Sequence, residues 1–279
     1  MTAASARIVR VEFGWNGPDQ LASCPARPRL TAPTPICEVD MPTHPARTTI
    51  RTIQPQHELD IALVDTGKGT PPVLLLHGGS GPHGVTTLID HFAPTSRVLA
   101  PTHPGWNGTA RPAWFTGVDS LASTYLDILE DEVLDDVIVI GTSFGGWVAS
   151  EMAVRDRGHR ISHLVLLDAI GPDIEGHTIA MPRPAPDRGL AESDVQASLA
   201  YTGTSMSDPK LLRRLSRVSV PALLIWGQDD MVVPVAFGEK YAAAFPCSRF
   251  ETIPGAGHMP ALQDPDTTFT LIDTFLAET

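Results

Sequence analysis

Short apolar runs alternate with helix-like segments from residue 57 to the end of the chain. The apolar runs predict strands at residues 59–64, 73–76, 97–100, 137–140, 164–167, 222–225 and 250–253. Helical spacing of apolar positions and helix-start signals predict helices at residues 85–92, 118–134, 143–156 and 269–276. This repeated order of strand and helix predicts an α/β fold with a mostly parallel central sheet and helices on both faces.

One interval interrupts the alternation. Residues 171–218 begin with a Pro-rich stretch and then carry signals for two short helices, starting at Ser193 and at Asp208. An insertion of this length in a compact domain covers a site more often than it links domains. We therefore expect a short helical lid.

The first 56 residues differ from the rest. They contain eight prolines, and residues 16–45 are expected to be irregular, with short strands at 8–13 and 48–53. The predicted organisation is an N-terminal extension over residues 1–56 and one domain over residues 57–279. The extension is either a tail without function or an arm that packs on the domain or on a second subunit.

Charge and composition exclude several classes of protein. The 279 residues carry a formal charge of −12, which disfavours nucleic acids and anionic membranes as partners. No apolar run approaches the length of a transmembrane helix. Cys24, Cys37 and Cys247 fit neither a disulfide framework nor a zinc site. We expect reduced thiols, a cytoplasmic protein, and a monomer or homodimer.

A G-x-S-x-G sequence at residues 141–145 is the sharpest chemical signal. It follows the apolar run at 137–140 and opens a predicted helix. A nucleophilic serine on a sharp strand-to-helix turn needs small residues two positions away on either side, which Gly141 and Gly145 supply. Ser143 is therefore the predicted nucleophile; the alternative is an ordinary turn in which Ser143 only caps the helix.

A glycine-rich loop, His77 to Gly81, directly follows the run at 73–76. Glycines allow a backbone N–H to approach a developing oxyanion. The predicted donors are the amides of Phe144 and Gly79, with Ser80 as the fallback for the second. A glycine-rich turn without function is the alternative, and His77 is expected to hold the loop.

Two further segments, residues 226–234 and 255–260, place polar residues just beyond predicted strands. The carboxyl ends of strands are where open α/β sheets form their sites. The chain order of Ser143, an aspartate and His258 is that of a Ser-Asp-His triad on such a sheet.

These motifs together resemble the α/β-hydrolase superfamily, in particular its capped esterase- and lipase-like serine hydrolases. The resemblance covers residues 57–279 and rests on HGG at 77–79, PTHPGWNGTARP at 101–112, GTSFGGW at 141–147, LVLLD at 164–168, WGQDDMVVP at 226–234 and GAGHMP at 255–260. It implies Ser143 as nucleophile, His258 as base and Asp230 as the orienting acid. Asp229 and Asp168 are the alternatives for the acid.

The resemblance implies hydrolysis of a small or medium, partly apolar ester through an acyl-enzyme. The alternatives are C–C bond hydrolysis, lyase or cyclase chemistry on the same triad, or a non-catalytic receptor or scaffold. His103 departs from the usual motif and is a candidate contact to a polar substrate group. The other candidate substrate contacts are Ser80, Trp106, Trp147, Met231 and Met259, with Met181 from the lid. No nucleotide loop or metal-ligand spacing is present, so we expect a small-molecule substrate and neither cofactor nor metal.

Overall fold

The computed structural model describes residues 9–11, 48–181, 183–184 and 191–279. The segment 16–45, which was expected to be irregular, lies outside these residues. The bounds of the strands are β1 (Val9–Val11), β2 (Thr49–Gln56), β3 (Leu59–Asp65), β4 (Val73–Leu76), β5 (Val98–Pro101), β6 (Val137–Thr142), β7 (Ile161–Leu167), β8 (Gly171–Pro172), β9 (Ser207–Asp208), β10 (Ala222–Gly227) and β11 (Ser248–Ile253).

Nine of these strands form one sheet in the order β1-β11-β10-β7-β6-β4-β5-β3-β2. The six strands from β11 to β5 are all paired in parallel. Antiparallel pairing is confined to β1 on one side and to β3 and β2 on the other. The prediction of a mostly parallel sheet is confirmed.

The sheet extends across the domain boundary predicted at residue 57. Strand β2 begins at Thr49 and pairs antiparallel with β3, from Thr49 opposite Asp65 to Gln56 opposite Leu59. Ion pairs also tie Arg51 on β2 to Asp65 and Glu132. Residues 49–56 therefore belong to the sheet, because β2 provides its edge strand, and the predicted extension ends earlier than expected.

Helices cover both faces of the sheet, as predicted. Their bounds are α1 (Thr86–Phe92), α2 (Val118–Asp131), α3 (Phe144–Arg155), α4 (Glu192–Thr202), α5 (Leu211–Leu215), α6 (Val235–Ala242), α7 (Pro260–Gln263) and α8 (Pro265–Glu278). Side chains of α2, α3 and α6 share one core with Leu74 and Leu76. Those of α1 and α8 share the other with Val73 and Leu75. Strand β4 is thus buried on both sides, which explains its uninterrupted apolar run.

The interval 171–218 contains the two-stranded parallel pair β8 and β9 and the helices α4 and α5. Both helices begin at other residues than predicted. Helix α4 begins at Glu192. Helix α5 begins at Leu211, because Asp208 belongs to β9 and pairs there with Pro172 of β8. Helix α4 lies on the loop after β5, where the Tyr201 hydroxyl donates to the Pro104 carbonyl at 2.9 Å.

Two further expectations concern compartment and membrane. Cys247 is disulfide-bonded, so the prediction of three reduced thiols is wrong for this residue, and the cysteines no longer argue for a reducing compartment. Among the residues that the structure describes, no helix combines the length and apolarity that crossing a bilayer requires.

Candidate active site

Ser143 lies at the sharp turn between β6 and α3, with φ 50° and ψ −114°. Such a conformation is strained for a residue with a Cβ and persists only where the surroundings impose it. The Ser143 amide donates to the Leu167 carbonyl at 2.8 Å, and the Ser143 carbonyl accepts from Gly146 at 3.0 Å. A Cβ on Gly145 would lie 2.1 Å from the Leu76 carbonyl oxygen. The turn therefore requires glycine there, as the motif predicted.

Ser143, His258 and Asp230 lie within hydrogen-bonding distance in one row. His258 Nε2 is 2.9 Å from Ser143 Oγ, and His258 Nδ1 is 2.8 Å from Asp230 Oδ2. The serine follows β6, the aspartate follows β10 and the histidine follows β11. These strands run parallel, so their carboxyl ends meet at one edge of the sheet.

The carboxylate of Asp230 fixes the orientation of the His258 ring. Its Oδ1 accepts from the amides of Val232 at 2.6 Å and Val233 at 3.1 Å, while Oδ2 accepts from His258. Burial raises the pKa of the Asp230 carboxyl, but the bonds from His258 and the two amides outweigh it, and the pKa lies below its ordinary value. Because an ionised Asp230 only accepts, Nδ1 carries the proton and Nε2 is free to accept from Ser143.

Among the described residues, neither of the two alternative acids is hydrogen-bonded to His258. Asp229 is exposed. Asp168 is fully buried after β7; its Oδ1 accepts from the Gly227 amide at 2.9 Å, and Oδ2 has no hydrogen-bond partner among the described residues. Burial, and next the charge of Asp230, raise the pKa of Asp168 well above its ordinary value. The geometry therefore favours Asp230 as the partner of His258.

The glycine-rich loop after β4 closes on the serine from the other side. A Cβ on Gly78 would come within 3.0 Å of Ser143 Cβ, whereas one on Gly79 would meet open space. Within the described residues, the amides of Gly79 and Phe144 have no protein acceptor. Both predicted donors are thus available beside the nucleophile.

His103 and Trp106, two of the predicted substrate contacts, are engaged by protein atoms in this structure. Each side chain is fully buried. The Trp106 indole donates to the Gly79 carbonyl at 3.0 Å, and both ring nitrogens of His103 are engaged by protein atoms. Both residues therefore lie against the glycine-rich loop, because their side chains bond to its backbone carbonyls at His77 and Gly79.

The remaining predicted contacts are spread between core and surface. Met231 is 94% exposed, so it does not line a pocket in this structure, because the turn after Asp230 points it outward. Trp147 is buried, whereas Ser80 is exposed and Met259 and Met181 are half-buried. Ser80 and Met259 both lie near Gly84, which places them at the rim of the loop.

Tyr125 and Tyr201 are neighbours of the site that sequence analysis did not assign to it. The Tyr201 ring stacks on Trp106, which stacks on Phe144, with ring centroids 5.7 and 5.4 Å apart. Tyr125 bonds to His103. Helical periodicity identifies Tyr125 only as part of the buried face of α2, and no signal in its own segment indicates which residue its hydroxyl meets.

Comparison with known proteins supports the same architecture. A family model described as the alpha/beta hydrolase family matches residues 73–271. A 2-hydroxy-6-oxo-2,4-heptadienoate hydrolase of Pseudomonas putida (strain F1) is 28% identical, over 78% of this chain and 93% of its own length. A pimeloyl-[acyl-carrier protein] methyl ester esterase of Aromatoleum aromaticum is 27% identical, over 73% of this chain and 97% of its own length.

Among solved structures, a serine hydrolase involved in carbazole degradation superimposes with a TM-score of 0.68. It is 23% identical, and the match covers 84% of this chain and all of that one. At this identity the likeness concerns the fold. With the family match across most of the chain, it leads to one conclusion: this chain is a member of the alpha/beta hydrolase family.

Proposed function

We propose that the protein is a serine hydrolase that cleaves a small or medium, partly apolar ester through an acyl-enzyme. The observation that carries the proposal is the continuous row from Ser143 Oγ to His258 at 2.9 Å and from His258 to Asp230 at 2.8 Å. Membership of a family of hydrolases supports it, and so does the relative named as a methyl ester esterase.

Each member of the row has one task in this mechanism. His258 Nε2 takes the proton of Ser143 as Oγ attacks the ester carbonyl, and the same proton then goes to the leaving alkoxide. Asp230 holds the ring and stabilises the imidazolium. The amides of Gly79 and Phe144 donate to the oxyanion. His258 next activates a water that releases the acid and frees Ser143.

Helix α4 is the proposed cover of the site. It contributes Tyr201 to the aromatic stack beside Phe144, and Asp194 Oδ1 accepts from the Asn107 amide at 3.2 Å. Apolar rings next to the nucleophile favour an apolar group on the substrate. The interval 171–218 is therefore the proposed determinant of substrate size.

C–C bond hydrolysis is the second candidate, because one relative is named as a 2-hydroxy-6-oxo-2,4-heptadienoate hydrolase. Such a substrate is a vinylogous diketone, and cleavage would transfer an acyl group from carbon to water. The same histidine and oxyanion donors would serve both reactions. The two candidates differ in the leaving group, which is oxygen in one case and carbon in the other.

The test is a panel of p-nitrophenyl esters from acetate to octanoate, assayed beside a vinylogous diketone and a fluorophosphonate label. Ser143→Ala should lose turnover and labelling. Ser162→Ala is the matched control, because its hydroxyl bonds to the Asp136 carbonyl at the opposite end of the sheet. Ester turnover with a chain-length optimum supports the esterase. Labelling together with cleavage of the diketone but of no ester supports the second candidate. Turnover that survives in Ser143→Ala contradicts both candidates.

A further inference from the structure

Two buried histidines, His77 on the loop after β4 and His103 on the loop after β5, lie against each other behind the candidate oxyanion hole. Their ring centroids are 3.9 Å apart. The His103 amide is 2.9 Å from His77 Nε2, and His103 Nε2 is 3.0 Å from the His77 carbonyl oxygen. On the far side, His103 Nδ1 is 2.5 Å from the Tyr125 hydroxyl. The triad uses neither histidine.

The contacts determine which nitrogen of each ring carries a proton. The His103 amide only donates, so His77 Nε2 must be bare and His77 Nδ1 carries the hydrogen, which it donates to the Gly78 carbonyl at 2.8 Å. The His77 carbonyl only accepts, so His103 Nε2 carries the hydrogen. His103 Nδ1 is then bare and accepts from Tyr125. Burial lowers the pKa of His77 to about 4 and lowers that of His103 well below its ordinary value, which agrees with two neutral rings.

The hydrogen bond between His77 Nδ1 and the Gly78 carbonyl acts on the oxyanion hole through one peptide plane. The Gly78 carbonyl and the Gly79 N–H belong to the same trans peptide and point in opposite directions. A bond that holds the carbonyl therefore sets the direction of the N–H. Glycine has no side chain to hold this plane, so the restraint must come from the partners of the Gly78 carbonyl, which are His77 Nδ1 and the Gly81 amide at 3.1 Å.

We propose that Tyr125 and His103 are positioning residues of the active site: through His77 they orient the peptide whose N–H stabilises the oxyanion. The proposal rests on the proposed function, since it concerns the same reaction. Neither residue touches a reacting atom. Tyr125 holds the His103 ring, the ring and the amide of His103 hold His77, and His77 Nδ1 holds the Gly78 carbonyl.

The first test removes one hydroxyl. Tyr125→Phe keeps the aromatic ring but leaves His103 Nδ1 without its donor, so the His103 ring loses the hydrogen bond that holds it in place against His77. We expect kcat to fall about tenfold, less than the loss on deleting a whole oxyanion donor, with KM within about twofold. Affinity for a trifluoromethyl ketone, whose hemiketal oxygen needs the hole, should fall in parallel with kcat/KM.

Tyr241→Phe is the matched control. Tyr241 is also fully buried and loses one hydrogen bond, to Ser150 Oγ at 2.8 Å, but it lies on α6 away from the site. The thermal midpoint should fall similarly in both variants, and kcat should fall only in Tyr125→Phe. Equal kcat in the two variants would overturn the proposal, because Tyr125 would then only stabilise the fold.

A second measurement needs no variant. Nitrogen-15 NMR of the histidine rings at neutral pH should show His77 as the Nδ1–H tautomer and His103 as the Nε2–H tautomer. A charged ring, or His77 protonated on Nε2, would overturn the proposal even if Tyr125→Phe does not fold. The proposed function fails separately: turnover that survives in Ser143→Ala would contradict the hydrolase, whereas the tautomers test the positioning chain alone.

Discussion

Asp168 and Asp230 end neighbouring parallel strands, and an oxygen of each carboxyl group lies within 4.8 Å of the other and of a His258 ring nitrogen. Their surroundings drive their pKa values apart. Asp230 accepts three hydrogen bonds, which outweigh its burial and lower its pKa, whereas Asp168 accepts one and its pKa is raised well above the ordinary value. Two close carboxyl groups with opposite shifts take different roles: the surroundings favour the ionised form of Asp230 and the neutral form of Asp168.

This difference predicts unequal effects of the same substitution. Asp168→Asn replaces a carboxyl group whose neutral form burial favours by a neutral amide of the same shape, so kcat should stay within about threefold. Asp230→Asn removes the charge that orients His258, and a loss on the order of 10⁴-fold is expected, as for the equivalent change in the serine-protease template. Measuring kcat of both variants on the preferred ester by steady-state kinetics tests this difference. A large loss in Asp168→Asn with Asp230→Asn active would reverse the assignment.

The turn at Ser143 predicts which glycine tolerates alanine. A Cβ at Gly145 would lie 2.1 Å from the backbone oxygen of Leu76, which cannot move without distorting β4. Gly145→Ala should therefore cost at least about 3 kcal/mol in the free energy of unfolding. At Gly158 the nearest atoms, at 3.4 Å, belong to the flexible Arg160 side chain. Gly158→Ala should stay within about 1 kcal/mol of wild type in urea unfolding. Equal values for the two variants would contradict the geometry.

The buried histidines predict a loss of stability in acid. Burial lowers the pKa of His77 from 6.5 to about 4. Between pH 6.5 and pH 4, the His77 side chain is therefore protonated in the unfolded state and neutral in the folded state. The free energy of unfolding should then fall by about 1.4 kcal/mol per pH unit for His77, down to about pH 4, and His103 adds to the effect.

Asp168 opposes this dependence. Burial and the charge of Asp230 raise its pKa, so the folded chain keeps a proton that the unfolded chain releases, and acid favours the folded state at this group. Asp168→Asn removes the opposing contribution, and the loss between pH 6.5 and 4 should become steeper. Urea unfolding at pH 7, 6 and 5 measures both slopes. A flat profile in Asp168→Asn would mean that the histidines do not stay neutral.

A buried ion cluster links α3 to the interval 171–218. The Glu151 side chain is 3% exposed and accepts from both Arg155 and Arg214, and Arg214 also pairs with Asp208. Glu151→Gln leaves two half-buried cations with weaker partners, and we expect a loss of about 1–3 kcal/mol. Proteolysis within residues 171–218 should become faster. Glu192→Gln, on the exposed side of α4, is the control and should change stability by less than about 0.5 kcal/mol.

The candidate site divides into features that contiguous residues encode and features that they do not. Two strong local signals, the all-apolar run of β4 and the glycines around Ser143, predicted strand and turn at their observed places. The sequence did not indicate that His103 is buried and Met231 exposed, because a single polar or apolar residue in a loop carries no information about which way the loop turns. The sequence predicts that β2 lies outside the domain. Its place in the sheet depends on pairing with β3, which the residues of β2 alone do not reveal.

By itself, the sequence determined the alternation of strands and helices, the strand-to-helix turn at Ser143, and the order in which serine, aspartate and histidine follow their strands. These depend on periodicity and on backbone sterics, which act over a few neighbouring residues. Only the tertiary structure decided that the pKa of Asp168 is raised, that His103 faces inward, and that Tyr125 bonds to His103. Burial and hydrogen-bond partners arise only when segments far apart in the chain pack together. They depend on which residues meet, and not on the type of any one residue.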